Sequence, residues 1–229
     1  MRPPRHTASV AALLVAGCAT AGHGHHVDHA HHRFEDPEHW ARVFESPERD
    51  AWQKPDEVLR WIGLRGHAQL ADIGAGTGYF AMRVARAHPQ ARVVAVDIEP
   101  KMVGWLEARA RRDGLMNVIP RLGTPEDPRL DAGTSHVLVV NTYHHIDDRA
   151  AYFSRLRRKL TPGGRVIIVD FKLGDLPVGP PEHARIGPDR VVAELTEAGY
   201  RLRRRDETLL PYQYVIEVEV PSEAGEPKH

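Results

Sequence analysis

The chemistry concentrates first in the run Leu70-Ala71-Asp72-Ile73-Gly74-Ala75-Gly76-Thr77-Gly78-Tyr79-Phe80. A short apolar run ends in an acid, three glycines follow at alternate positions, and a helical pattern opens at Gly78. Glycines so spaced let the backbone close on a ligand, and a helix start offers free N–H groups and a positive dipole end. Nineteen residues beyond Gly78, at the end of the next apolar run, stands Asp97. An acid there can accept both hydroxyls of a ribose, so the two pieces together point to a nucleoside site. A second concentration is Asn141-Thr142-Tyr143-His144-His145-Ile146-Asp147-Asp148. His144 or His145 can act as a base near neutral pH, and Tyr143 can position a substrate or face a cation. The same residues also suit a plain turn, with a histidine satisfying buried carbonyls and Asp147 or Asp148 capping the next helix.

The elements that must position these groups are readable from periodicity. Apolar runs at Gln69–Ile73, Arg92–Ile98, Asn117–Leu122, His136–Asn141 and Arg165–Phe171 alternate with helical patterns at Gly78–Ala87, Glu99–Asp113, Asp147–Leu160 and Pro188–Ala198. Near-continuous apolar strands between helices predict an α/β domain with a parallel sheet covered on both faces. Helices at Pro37–Phe44 and Asp56–Ile62 precede the first strand. Tyr200–Glu207 and Tyr212–Val220 have only a short Pro211-containing link, so they are expected to pair as a hairpin.

Composition narrows the function classes. The chain has 229 residues, 41% hydrophobic and 27% charged, with zero formal net charge, which suits one globular domain and excludes a general nucleic-acid binder with its basic excess. The runs Arg155–Lys159 and Arg201–Arg205 read as solvated faces. Cys18 is the single cysteine, so the globular part has no disulfide, Cys-based zinc cluster or thiolate nucleophile. Residues 1–17 combine Arg2 and Arg5 with a short apolar run, the shape of a secretory signal. Val15-Ala16-Gly17-Cys18 resembles the lipobox of bacterial lipoproteins, which implies lipidation of Cys18, membrane attachment and a place in the cell envelope. Ala19 after the cysteine resembles the outer-membrane, periplasmic-side pattern. Residues 18–33 then form a His-rich tether. His23, His25, His26, His29, His31 and His32 can bind divalent metal weakly, without fixed geometry, or serve as a hydrophilic spacer. Residues 34–220 are expected to be the folded domain and 221–229 a tail.

The spacing G-x-G-x-G after an acid departs from the dinucleotide fingerprint G-x-G-x-x-G. Asp72-Ile73-Gly74-Ala75-Gly76-Thr77-Gly78 instead resembles the first motif of class I S-adenosylmethionine-dependent methyltransferases. Later motifs follow in order: Asp97 matches the acid that holds the ribose, Asn141 sits where the family contacts the methionine end, and Leu160-Thr161-Pro162-Gly163-Gly164-Arg165 resembles the Pro-Gly-Gly turn. The resemblance implies a Rossmann-like fold, a seven-stranded mostly parallel sheet with a C-terminal antiparallel hairpin, and S-adenosylmethionine as cofactor. It implies methyl transfer to an unidentified small-molecule acceptor. Cofactor contacts would come from Asp72, Gly74, Gly76, Gly78, Asp97, Asn141 and Thr124, with Thr124 or Glu126 replacing the acid usual after the third strand. Catalytic contacts would come from Tyr143, His144 and His145. In similar enzymes N-terminal helices close over the cofactor, making Trp52 and Gln53 lid candidates, and Lys172 and His183 are polar handles in the loop lining the acceptor side. A lipobox conflicts with a cofactor made in the cytosol. That conflict raises the alternative of a lipid-anchored ligand- or metal-binding protein on a non-catalytic fold.

Overall fold

A computed structural model describes residues 36–222. The signal, Cys18, the six tether histidines and tail residues 223–229 lie outside the described residues. The described residues form one sheet of seven strands in the order β3-β2-β1-β4-β5-β7-β6. These are β1 (Gln69–Ile73), β2 (Arg92–Asp97), β3 (Val118–Leu122), β4 (Thr134–Val140), β5 (Leu160–Phe171), β6 (Arg201–Asp206) and β7 (Gln213–Glu219). β1 to β5 run parallel, while β7 pairs antiparallel with both β5 and β6. This is the Rossmann-like architecture with a terminal hairpin that the motif order implies.

Both faces are covered, which is why the central strands carry almost no polar residue. On one face Leu70, Ala95, Leu138 and Ile167 pack under α3 (Pro55–Ile62), α4 (Tyr79–Ala87) and α5 (Pro100–Arg112). On the other Ala71, Val94, Val137 and Ile168 pack under α6 (Arg149–Arg157) and α7 (Pro188–Glu197). The strand order reverses direction between β1 and β4, so the connections leave those two strands toward opposite sides. That opens a cleft at their carboxyl ends, the place where doubly wound sheets bind ligands.

Before β1 come α1 (Pro37–Phe44), α2 (Pro47–Gln53) and then α3. Sequence periodicity does not reveal α2: it is only seven residues long and passes straight into α3 through Lys54, whose φ of 43° is left-handed. Helix α6 is shorter than its sequence pattern suggests. Asp148 caps it by accepting the Ala151 N–H at 3.2 Å, and residues from Leu160 onward belong to β5 instead. The Pro-Gly-Gly segment lies within that strand, at an irregularity between the pairs Thr134–Leu160 and His136–Arg165.

The Arg201–Arg205 run is not a bare basic face. Arg203 and Arg204, with Arg165 of β5, converge on the buried Glu217 of β7, and Arg201 and Arg203 meet Glu219. Alternate residues of β7 thus supply the counter-charge that makes an arginine-rich edge strand tolerable. β6 also has a register shift between Leu202 and Arg204, and the opposite edge strand, β3, places Pro120 against Ala95.

Candidate functional site

The turn after β1 is held from below and from one side. Gly74 and Ala75 both donate N–H to the Val96 carbonyl at 2.9 Å, and Gly76 donates to Asp97 Oδ2 at 2.8 Å. The second Asp97 oxygen accepts the Glu99 N–H at 3.0 Å. Asp97 is buried, and desolvation raises its pKa against the pull of these bonds. The Ile98 N–H also lowers its pKa, and a carboxylate with two acceptor oxygens at this edge fits two vicinal hydroxyls.

The three glycines are needed for different reasons. All have positive φ: 72° at Gly74, 54° at Gly76 and 92° at Gly78. A Cβ on Gly74 would collide with the Thr142 side chain after β4, and one on Gly78 would press on Leu106 at 2.9 Å. Their close approaches are therefore to the protein itself. At Gly76 the nearest group is the Phe44 ring of α1, 3.6 Å from a hypothetical Cβ. Glu45 holds the end of α1 there, accepting from Thr77 Oγ1 at 2.8 Å and from Arg109 of α5. Thr124 lies in the turn after β3, next to the Gly123 N–H that donates to the Asp97 carbonyl at 2.9 Å. Its hydroxyl accepts the Asp127 N–H at 3.0 Å, which closes the turn.

On the β4 side, Asn141 follows the strand in a left-handed conformation, φ 54°. Its amide joins two buried glutamines: Asn141 Nδ2 donates to Gln53 Oε1 at 3.4 Å, Gln213 Nε2 donates to Asn141 Oδ1, and Gln53 Nε2 donates to Gln213 Oε1. Gln53 is the last residue of α2, so this cluster fastens the N-terminal helices to the ends of β4 and β7. Trp52 beside it packs on Phe171 and Tyr212, with ring centroids 5.9 and 6.3 Å away.

Arg49, one turn earlier in α2, enters the same region. Its Nε donates to Gln53 Oε1 at 3.2 Å and its Nη1 to the Phe44 carbonyl at 2.9 Å, and the guanidinium lies 3.9 Å over the Tyr79 ring. Burial pushes the Arg49 pKa down to about 10. Asp72 is buried in β1, and desolvation pushes its carboxyl up to about 7, while the Ala81 N–H and the Arg49 charge pull the other way. Neither Arg49 nor Gln213 stands out in the sequence, and nothing there shows that Gln53 and Asn141 meet.

The loop after Asn141 forms a 3-10 turn over Tyr143–His145 and divides the candidate bases. His144 is almost fully enclosed. Its Nδ1 sits 2.9 Å from both oxygens of Asp170, the buried penultimate residue of β5, and its backbone N–H also donates to Asp170. An ionised carboxylate only accepts, so Nδ1 carries the hydrogen and Nε2 is the basic nitrogen. The His145 ring is exposed and lies 4.2 Å from that of His144. Tyr143 turns out to be core rather than a cleft residue: it is fully buried against Phe153, and its hydroxyl donates to Glu194 of α7 at 2.7 Å, where Arg149 also binds. The adjacent 3-10 turn directs Tyr143 and His144 to different partners. Lys172 is spent on the carbonyls of Leu210 and Pro211 at 2.9 and 3.0 Å, and His183 is exposed in the turn Glu182–Ala184. Among the described residues no group of three or more His, Cys, Asp or Glu is placed to hold a metal ion.

Comparison with known proteins agrees with this geometry. Residues 70–164, from β1 through the Pro-Gly-Gly segment, match a family described as a methyltransferase domain. A 27-O-demethylrifamycin SV methyltransferase of Amycolatopsis mediterranei (strain S699) is 30% identical over 161 residues, covering 68% of this chain and 59% of that protein. A demethylmenaquinone methyltransferase of Tropheryma whipplei (strain Twist) is 28% identical over 114 residues, 50% of this chain and 46% of that one. The chain thus spans about half the length of these curated relatives. Among solved structures, a SAM-dependent methyltransferase from Aquifex aeolicus shares the fold with a TM-score of 0.75 at 22% identity, covering 81% of this chain and 98% of that one.

Two outcomes follow from the packing and the charges. Gly74→Ala should lower stability by roughly 1–2 kcal/mol from left-handed strain alone, with more from the Thr142 collision. Adding Thr142→Ala should recover part of the second component, which a double-mutant cycle on urea midpoints reads directly. Asp72 releases its proton near 3.8 when unfolded and near 7 when folded, so stability should fall as pH rises through that window. Asp72→Asn should flatten that slope, and equal slopes in both proteins would show the carboxyl ionised throughout.

Proposed function

We propose that this chain is an S-adenosylmethionine-dependent methyltransferase acting on a small organic acceptor. The observation that carries the reading is Asp97. It is a buried carboxylate at the end of β2, beside the switch point between β1 and β4, locked to the glycine turn through Gly76 and able to accept a diol. The methyltransferase-domain match and the two relatives support it, and their names fit a small organic acceptor. Bound there, S-adenosylmethionine supplies a methyl group already activated by a sulfonium.

The side chains then have to align the acceptor and exclude water more than activate the methyl. Asp97 holds the ribose, and Asn141 and Asp72 face the amino-acid end. His144 takes the proton from a hydroxyl or amine acceptor at Nε2, while Asp170 fixes its tautomer and balances the imidazolium that forms. Trp52, Phe171 and Tyr212 supply an apolar aromatic wall for the acceptor. A non-catalytic binding role on the same fold draws no support from the site, since the glycine turn, Asp97 and the His144–Asp170 pair are all in place. The envelope location rests on residues 1–18 of the sequence alone.

Calorimetric titration should give binding of S-adenosylmethionine and its demethylated product, S-adenosylhomocysteine, and none of NADH. Asp97→Ala should weaken both sulfur ligands by at least about 10-fold, as expected for losing charge-assisted hydrogen bonds. Unchanged affinity in that variant would remove the ribose role. Cell fractionation of Cys18→Ala should find the protein released from membranes; continued sedimentation with them would refute the lipid anchor.

A further inference from the structure

The two basic runs are treated differently by the fold. Arg201, Arg203 and Arg204 are answered by Glu217 and Glu219, and Arg205 by Asp189 and Glu207. In the other run Arg155 donates to the Glu126 carbonyl at 2.9 and 3.1 Å, while Arg157 and Arg158 are exposed. Among the described residues no carboxylate lies within ion-pair distance of Arg157, Arg158 or Lys159.

This run closes α6, so it stands at the amino ends of the parallel strands, the edge opposite the cleft. The same edge carries Arg65 before β1 and Arg111 near the end of α5, both exposed and likewise without an acid. The acids that are present there are outnumbered. Asp113 serves Arg86, Arg109 and Arg112. Asp131 serves Arg121 and Arg92, and Arg121 holds its carboxyl below the usual range, with the Lys159 charge adding to the pull. Glu197, at the end of α7, is exposed there too. Zero net charge therefore conceals a polarised molecule, with buried acids at the carboxyl edge and unmatched cations at the amino edge.

Helix C-termini favour cations through the dipole, which accounts for an arginine or two per helix. It does not account for Met116. Between α5 and β3 that side chain is 90% exposed, beside an open recess lined by Ala85, Arg86, Pro89 and Leu115. The cations spread from the β3 side of the sheet to the β5 side, roughly 20 Å at one strand spacing per neighbour. That span suits an extended surface more than a single small anion. An apolar prong among arginines matches the layers of a lipid surface, phosphates outside and hydrocarbon beneath. A soluble acidic partner would use the cations and leave Met116 without a role.

We propose that the amino edge of the sheet docks on an anionic phospholipid surface, through Arg65, Arg111, Arg157, Arg158 and Lys159, with Met116 entering the headgroup layer. Strands of five to seven residues hold the cleft roughly 20 Å from that edge, so a docked domain keeps its cleft turned away from the lipid. The contact is weak and reversible. It orients a domain that is already tethered and does not retain one that is not. It is independent of what the cleft binds.

Sedimentation of the full chain with vesicles tests this, every sample carrying Cys18→Ala so that no acyl chain contributes. In low salt the protein should bind mixed phosphatidylglycerol and phosphatidylcholine vesicles but not phosphatidylcholine alone, and rising salt should release it. Arg157→Glu combined with Arg158→Glu should cut partitioning at least about 10-fold, and Arg65→Glu, on a different connector, roughly 5-fold or more. Met116→Ser should cut it roughly 3-fold. Unaltered thermal midpoints would show that these exposed substitutions leave the fold intact. Equal binding to both vesicle types, or unchanged partitioning in the charge-reversed variants, would overturn the docking face. Heparin bound as tightly as the anionic vesicles, with Met116→Ser having no effect, would assign the edge to a soluble polyanion and overturn the lipid reading.

Discussion

A single carboxylate, that of Asp97, ties together the two loops on which the site depends. By accepting N–H groups from Gly76 and Glu99 it makes the turn after β1 and the turn after β2 one unit. The Val96 carbonyl one residue earlier does the same for Gly74 and Ala75. A buried carboxylate is expensive to desolvate, and here backbone donors meet the cost, so moving either loop would leave a charge or two amides unsatisfied. The consequences propagate outward. With the turn fixed, Gly78 starts α4 in contact with Leu106, Gly74 abuts Thr142, and the chain leaves β4 through Asn141 in a left-handed conformation. The cleft is shaped by this chain of exclusions before any ligand enters.

Its electrostatics follow the same economy. Asp72, Asp97 and Asp170 stand at or next to the last residues of β1, β2 and β5, and all three are buried. A row of carboxylates at one sheet edge favours a positively charged ligand, as a sulfonium with an ammonium would be. Each acid has its own partner: a backbone N–H and the field of Arg49 for Asp72, the two turn amides for Asp97, and the His144 ring for Asp170. The arrangement is polar without being wet, and it holds its dipoles in place ahead of reaction.

The sheet, its order of elements and the cofactor acids were legible because they obey local rules. Strands buried on both faces read as runs of Val, Ile and Leu, and the acid-plus-glycine motif needs its spacing to make the turn. Strand limits from β1 to β7 fell within a residue or two where the apolar run ended sharply, and drifted at β5, where the Pro-Gly-Gly segment pairs through an irregularity that no periodicity announces. What stayed hidden is long-range. Arg49, Gln53 and Gln213 meet across the fold, with 160 residues separating the two glutamines. Helix α2 is too short to show a pattern. Tyr143 and His144 are neighbours in sequence that a 3-10 turn sends to opposite partners, Glu194 and Asp170, and only the packing of α7 and β5 decides which is which.

The two margins of the sheet bear on how the molecule behaves among copies of itself. Pro120 sits in the middle of β3 and has no N–H to offer a passing strand. β6, at the other margin, combines a local irregularity with arginines whose partners lie on its inner neighbour. An open sheet normally presents two ladders of unpaired amides, and a foreign strand can lengthen it by simple templating. Here one ladder is interrupted covalently and the other is bent and crowded by guanidinium groups. Edge-to-edge stacking is thereby disfavoured, and the sheet ends where its seventh strand ends.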